Sequence, residues 1–401
     1  VAENDTPCAQ SPRLYREGLT GLRAYAALWV MLFHVNAIVG PKRLAVSGWG
    51  LDLDVTPLVT IGWVGVDLFF VLSGFLLTTH LLERWHATDR GVLMRGYFRA
   101  RILRVFPAYW AQLVVLLSVA LIASGGVMPA WWVDLPLHAL MLHNFSERMS
   151  SAINGVYWTL PIEFTFYLCL PLLVKFLAQG ERMPQRAAWR RLAMISASVI
   201  LAAWAYRFAV FHAYADSAVN TIVWATSQIP GTMDQFMIGA TAAAGLRLAN
   251  GRAGAEPSRW GQWRSTALLA VGVGGLVSMM YFLDRVHDDY WAGHWSLFVW
   301  HTITSGFIAS VVLAIVASGP SARLVFENRA ALFLGTISYS IYLWHFPIVI
   351  WVAGLVDLPA LGLVRGVLLV TPLVVVASAV SYFVVERPFL RLGKTKAVQK
   401  R

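Results

Sequence analysis

The chain has 401 residues, 58% of them hydrophobic and only 13% charged, with a mean hydropathy of +0.61 and a net charge of +11. A soluble domain carries about a quarter charged residues, so these values exclude an ordinary soluble enzyme and point to an all-α, polytopic membrane protein. The excess of positive charge fits the positive-inside rule, and no nucleic-acid motif accompanies it.

Residues 1–18 are polar and lack a basic stretch followed by an apolar core, so they read as a tail rather than a cleavable signal peptide. Targeting is expected through the first membrane helix. Cys8 and Cys169 are the only cysteines and suggest no disulfide framework.

A bilayer-crossing run needs about 20 apolar residues. Ten are expected, at 19–39, 60–82, 106–126, 156–178, 192–212, 228–247, 265–283, 296–318, 332–352 and 363–384. The sixth is the weakest, because Pro230, Gly231, Asp234 and Gln235 crowd its start. The domain reading is therefore a tail at 1–18, a transmembrane domain at 19–385 and a basic tail at 386–401.

Ten spans put both termini on one side. The segments 1–18, 83–106, 175–191, 247–264, 319–331 and 385–401 hold 25 of the 32 Lys and Arg residues. The opposite loops hold only Lys42, Arg43, Arg148 and Arg285 and carry the acidic Asp52, Asp54, Asp134, Asp216, Asp284, Asp288 and Asp289. That bias assigns both termini to the cytoplasm. Two outer loops are long, about 40–59 and 127–155, and the second holds Trp131, Trp132, His138, His143 and Asn144. They read equally well as covers over an outer pocket or as amphipathic surface helices.

Within the first span, Arg23 and His34 are eleven residues apart. Eleven steps of about 100° close to within roughly 20° of whole turns, so the two share a helix face, about 16 Å apart. His34 lies about 22 Å from the cytoplasmic start of its helix, in the outer half of a hydrocarbon core about 30 Å thick. Ionisable groups in lipid are functional candidates, although a snorkelling arginine and a histidine satisfied by a neighbouring helix describe an isolated pair as well.

Four further stretches accompany Arg23–His34: Gly65-Val66-Asp67-Leu68-Phe69-Phe70-Val71-Leu72-Ser73-Gly74-Phe75, Arg101-Ile102-Leu103-Arg104-Val105-Phe106-Pro107, Trp158-Thr159-Leu160-Pro161-Ile162-Glu163, and Ser338-Tyr339-Ser340-Ile341-Tyr342-Leu343-Trp344-His345-Phe346-Pro347 with Glu386-Arg387-Pro388 near the chain end. In this order and spacing the chain, from about residue 17 to 391, resembles the acyltransferase 3 family of integral membrane acyltransferases. The resemblance implies ten helices and transfer of an acyl group, commonly acetyl from cytoplasmic acetyl-CoA, to a hydroxyl of a sugar or lipid-linked glycan. Some members append a secreted esterase-like domain; with about 17 residues after its last expected helix, this chain is expected to be the stand-alone form. Thr159 replaces the family's usual serine and keeps the hydroxyl. Phe164 replaces a usual second acidic residue, so only Glu163 is carried over.

The residues suit that chemistry. Arg101 and Arg104, three apart, share a helix face at the expected cytoplasmic mouth of the third helix, with Pro107 expected at its start. Guanidinium pairs match phosphate bidentately, so Arg23, Arg101 and Arg104 are candidates for gripping the phosphates of acyl-CoA. Clustered arginines at a cytoplasmic helix end are also a routine topology signal. His34 is the candidate general base, with a covalent acyl-imidazole relay as the other possibility. Glu163 is the second candidate catalytic residue, read as a partner fixing the His34 tautomer, as an ion pair for a buried arginine such as Arg23, or as an acceptor-binding group. Asp67 is a weaker case of the same kind. Tyr342 and His345 read as a packed core pair, and Glu386-Arg387-Pro388 as an interfacial stop.

No metal is called for. The partners expected are acyl-CoA, a glycan, glycolipid or small-molecule hydroxyl acceptor, and the lipid bilayer. A transporter or flippase of a lipid-linked glycan could use the same buried Arg, His and Glu groups, but has no ready use for an arginine pair matched to CoA.

Overall fold

The structure is a computed structural model that describes residues 11–40, 43–48, 51–250, 262–317 and 320–398. Cys8, Lys42 and the basic residues Arg252, Arg259, Lys400 and Arg401 lie outside the described residues. Ten long helices carry the fold: α1 (Ser11–Val39), α2 (Val64–Arg84), α3 (Arg90–Ala123), α4 (Thr159–Gly180), α5 (Gln185–Ala213), α6 (Ile229–Ala249), α7 (Gln262–Arg285), α8 (Ser296–Val316), α9 (Ser338–Ala353) and α10 (Leu358–Ser381). Among the described residues, eight helices are long and apolar enough to cross a membrane, and a short helix Arg329–Thr336 with α9, bent by 73°, counts as a ninth if the pair crosses as one broken span. The protein is a multi-pass membrane protein. α6 falls outside that set because Asp234, Gln235 and its glycines make it more polar, yet it packs inside the bundle.

Two expectations change at helix ends. The N-terminal helix begins at Ser11, so residues 11–18 are helical rather than a free tail. α3 begins at Arg90, where Asp89 caps it by accepting the Val92 N–H at 3.0 Å, so Pro107 lies inside the helix and not at its start. Pro107 removes one backbone donor, a loss that neighbouring helices make tolerable in a membrane bundle. Past α10, a π-turn at Tyr382–Glu386 leads into a further helix, Arg387–Val398, where an interfacial stop was expected.

α2 and α6 cross at the centre through two glycines. A Cβ on Gly74 would sit 2.1 Å from the Phe236 carbonyl oxygen, and one on Gly239 would sit 2.1 Å from that of Val71. Small residues let membrane helices approach this closely where apolar burial gives no driving force. At the same level Phe236 stacks on Phe70 and Phe166, at centroid distances of 4.5 and 4.1 Å.

The acidic end is covered. A hairpin of β1 (Ala45–Gly48) and β2 (Leu51–Asp54) pairs Ala45 with Asp54, and Tyr281 donates to the Asp54 carbonyl. Segment 127–158 folds into short helical turns tied down by Arg148–Asp134 at 2.9 Å and by Asn144 Nδ2 on the Trp158 carbonyl at 2.9 Å. It lines an open groove of about 630 Å³ with Asn144, Arg148 and Gly155.

Candidate active site

Four of the five candidate residues meet in one cavity of about 110 Å³, lined by Arg23 from α1, Ser73 from α2, Arg101 and Arg104 from α3, Glu163 and Tyr167 from α4, and Tyr339 and Tyr342 from α9. Every one of the five motifs contributes to this wall. Ser73 is the tenth of the 21 residues of α2, so the cavity lies half-way through the bundle. Arg101 and Arg104 are therefore not at the mouth of their helix: α3 has 34 residues, and they are its twelfth and fifteenth.

The charges there do not balance. Three guanidiniums face the cavity against one lining carboxylate, Glu163. Arg104 is engaged, with Nη1 3.0 Å from Glu386 Oε2. Glu386 is buried and also accepts from Ser340, so it anchors the chain end to α3. Among the described residues, neither Arg23 nor Arg101 makes an ion pair, and Arg101 Nε is buried without a hydrogen-bond partner. Arg101 instead lies over the Tyr167 ring, 5.8 Å from its centroid. Three cations beside one lining carboxylate, two of them without an ion pair, leave a net positive field in a low-dielectric site that suits a polyanion.

Glu163 is held from two sides. Its Oε1 accepts from Ser73 Oγ at 2.7 Å and from the Tyr167 hydroxyl at 2.5 Å. Its field also reaches Arg23. Of the three readings open for Glu163, the geometry provides no contact with His34 and puts the carboxylate among the arginines.

His34 does not line this cavity. It stands further toward the acidic end on α1, and its partner is His345 of α9, with His34 Nδ1 3.3 Å from His345 Nε2. The tautomers follow from the carbonyls. His345 Nδ1 is 3.1 Å from the Ile341 carbonyl and His34 Nδ1 is 2.8 Å from that of Val30, so both Nδ1 atoms carry hydrogen. His345 Nε2 then has to be a bare acceptor, and His34 Nδ1–H is shared between it and Val30. His34 Nε2 is left as a lone pair, free to take a proton. His345 also contacts Tyr342, at 5.7 Å between rings, and Tyr342 lines the arginine cavity. The Tyr342–His345 core pair is thus a bridge from the cavity to His34. Only a histidine's place in an apolar helix could have signalled that role.

Asp67 is buried near the acidic end, where His301 Nδ1 meets its Oδ1 at 2.9 Å. Nearby, Arg207, Asp234 and Thr302 form a second buried network.

Comparison with known proteins agrees in extent with this arrangement. The profile of a family described as an acyltransferase domain matches residues 16–386. The chain is 23% identical over 407 residues to peptidoglycan O-acetyltransferase OatA of Listeria monocytogenes, covering 95% of this chain and 57% of that protein. It is 24% identical over 414 residues to O-acetyltransferase OatA of Staphylococcus aureus strain NCTC 8325, covering 96% and 58%. Putative peptidoglycan O-acetyltransferase YrhL of Bacillus subtilis is 28% identical over 353 residues, covering 84% and 49%. The chain thus spans about half the length of the curated relatives it matches. No solved structure matches it.

Proposed function

The chain belongs to the acyltransferase 3 family, and from that premise we propose that it is an O-acyltransferase of the bacterial cell membrane, moving an acetyl group from cytoplasmic acyl-CoA to a hydroxyl of a cell-wall glycan or glycolipid. The observation that carries this reading is the convergence of Arg23, Arg101 and Arg104 on one buried cavity with a single lining carboxylate. Three planar donors with two unpaired charges suit the phosphates of CoA. Arg104 is already held by Glu386, so Arg23 and Arg101 bear most of the phosphate contact. Glu163 offsets part of the repulsion among the guanidiniums and fixes Ser73 and Tyr167 around the donor. The names of the relatives support acetyl as the group and a peptidoglycan-like glycan as the acceptor.

In the transfer, the acceptor hydroxyl oxygen attacks the thioester carbonyl carbon and the carbon–sulfur bond breaks. His34 Nε2 takes the hydroxyl proton and returns it to the leaving thiolate, so the products are the ester and free CoA thiol. His34 lies roughly 16 Å beyond Arg23 on the same helix face, which separates the phosphate grip from the reacting carbonyl along the bundle axis.

The test is acetyl transfer by the protein reconstituted in vesicles with acetyl-CoA on the arginine-rich side and a glycan acceptor on the other. His34→Ala is expected to abolish the ester product while inserting at wild-type levels. An active His34→Ala protein would remove His34 from the role of base.

A further inference from the structure

A second, larger cavity, of about 280 Å³, opens at the acidic end of the bundle. Its walls hold Asp67 from α2, Gln235 from α6 and His301 from α8, and the rings of Trp63, Trp158 and Trp291. It shares Trp158, Val223 and Ser227 with the open groove under segment 127–158, so groove and cavity form one continuous surface. It also shares Val66 and Phe70 with the arginine cavity, so a thin apolar wall separates the two.

The polar atoms of this cavity are unbalanced in one direction. Asp67 and Gln235 are each 2% exposed, and Asp67 Oδ2 and Gln235 Oε1 have no hydrogen-bond donor among the described residues. A buried acceptor without a donor needs an explanation, and two of them aimed into one cavity fit a ligand that brings the hydrogens. Asp67 Oδ1 lies 2.9 Å from His301 Nδ1, and Arg207 is held by Asp234. The cavity offers oxygen acceptors beside indole faces. It suits a neutral molecule rich in hydroxyl or amide donors, with an apolar face to lie on an indole.

Resting on the acyltransferase reading above, we propose that this cavity is a carbohydrate subsite that seats one sugar of the acceptor glycan, with Asp67 and Gln235 accepting its hydroxyl or amide hydrogens and the rest of the glycan lying in the adjoining groove. The subsite adjoins the proposed base. Phe33, which lines the cavity, precedes His34 in α1 and packs against Trp63 with ring centroids 5.7 Å apart. On the groove side, Phe346 fills the space where a Gly155 side chain would stand and packs 5.1 Å from the His34 ring. A chain held between these two rings presents its hydroxyls near the His34 level.

The experiment is a titration of detergent-purified protein with a β-1,4-linked N-acetylglucosamine tetrasaccharide, read by tryptophan fluorescence, for wild type, Gln235→Leu and Trp291→Ala. Acetyl-CoA binding is measured on the same samples. Saturable quenching of wild type is expected, with the sugar Kd raised at least tenfold in both variants and the acetyl-CoA Kd unchanged. Absence of saturable quenching in wild type, or a sugar Kd within twofold of wild type in both variants, overturns the subsite. Sugar binding that behaves as expected in a protein that fails to bind acetyl-CoA would uphold the subsite and overturn the donor reading instead.

Discussion

His345 Nε2 lies 3.3 Å from His34 Nδ1, and the contact ties together two residues 311 positions apart. It gives His34 an acceptor on Nδ1, the place a carboxylate takes beside many catalytic imidazoles, and so keeps the Nε2 lone pair available. A neutral acceptor orients the ring without placing a negative charge beside it.

His345 should therefore behave as a positioning residue. His345→Ala is expected to lower kcat by about 10–100-fold, a fraction of the roughly 10²–10⁴-fold that general-base catalysis contributes, with the KM for acetyl-CoA unchanged. His345→Gln, whose amide oxygen can accept from His34 Nδ1–H, should recover part of the loss. Steady-state transfer assays on the two variants check this. Equal loss in both would reduce His345 to packing.

Arg101 and Arg104 should separate cleanly although they are one turn apart. Arg104→Ala leaves Glu386, 1% exposed, as a buried charge without its cation. Breaking a buried pair in this way costs about 3–5 kcal/mol, so thermal unfolding should show a large fall that Glu386→Gln added to Arg104→Ala partly reverses. Arg101 has no such partner, and Arg101→Ala should leave the unfolding temperature near wild type while weakening donor binding.

The glycine contact at the bundle centre predicts packing damage without loss of any polar group. Gly74→Ala and Gly239→Ala each force a methyl to within 2.1 Å of a backbone oxygen. Overpacking of this kind typically costs about 1–3 kcal/mol. The two act on one helix crossing, so their effects in a double variant should not add. Thermal unfolding of the singles and the double measures this.

The loop over the acidic end should respond to acid. His138 and His143 are buried and stack with ring centroids 4.1 Å apart. Burial pushes His138 down to about 4 and His143, with the neighbouring His138 adding to the effect, to about 3. In the unfolded loop both titrate near 6.5. The unfolded loop thus binds more protons as pH falls below about 6.5, and the folded loop loses stability from there toward about pH 3. Hydrogen exchange across residues 135–157 should show more frequent opening at pH 5 than at pH 7 after correction for intrinsic rates. His138→Phe/His143→Phe should flatten that dependence.

The sequence carries much of this architecture for physical reasons that differ by residue. Charged side chains in apolar runs have few places to go, so Arg23, Arg101, Arg104 and Glu163 were legible as a group and do share a cavity. Eight of the ten expected spans fall on helices long and apolar enough to cross, because length and hydropathy define a membrane crossing; the sixth falls on the more polar α6 and the ninth on a bent pair. What was hidden depends on contacts between distant segments. Tyr342 and His345 looked like a local pair at helical spacing, but the partner of His345 is on α1. Glu386 looked like part of a stop because no pattern announces the π-turn that carries it to Arg104. His301 drew no attention and Gln235 only as a weakness of the sixth span, because one polar residue in an apolar helix does not reveal which neighbour it faces. Pro107 suggested a helix start, but the turns before it are helical enough for α3 to run through it.

The central claim, that the arginine cavity holds an acyl-CoA donor, is tested most directly by acetyl-CoA binding to detergent-purified protein, comparing wild type with Arg23→Ala/Arg101→Ala by titration calorimetry. Saturable binding in wild type, weakened by tenfold or more in the double variant at an unchanged unfolding temperature, is the result this account predicts. No binding of acetyl-CoA by folded wild-type protein, or equal binding in the double variant, would contradict it.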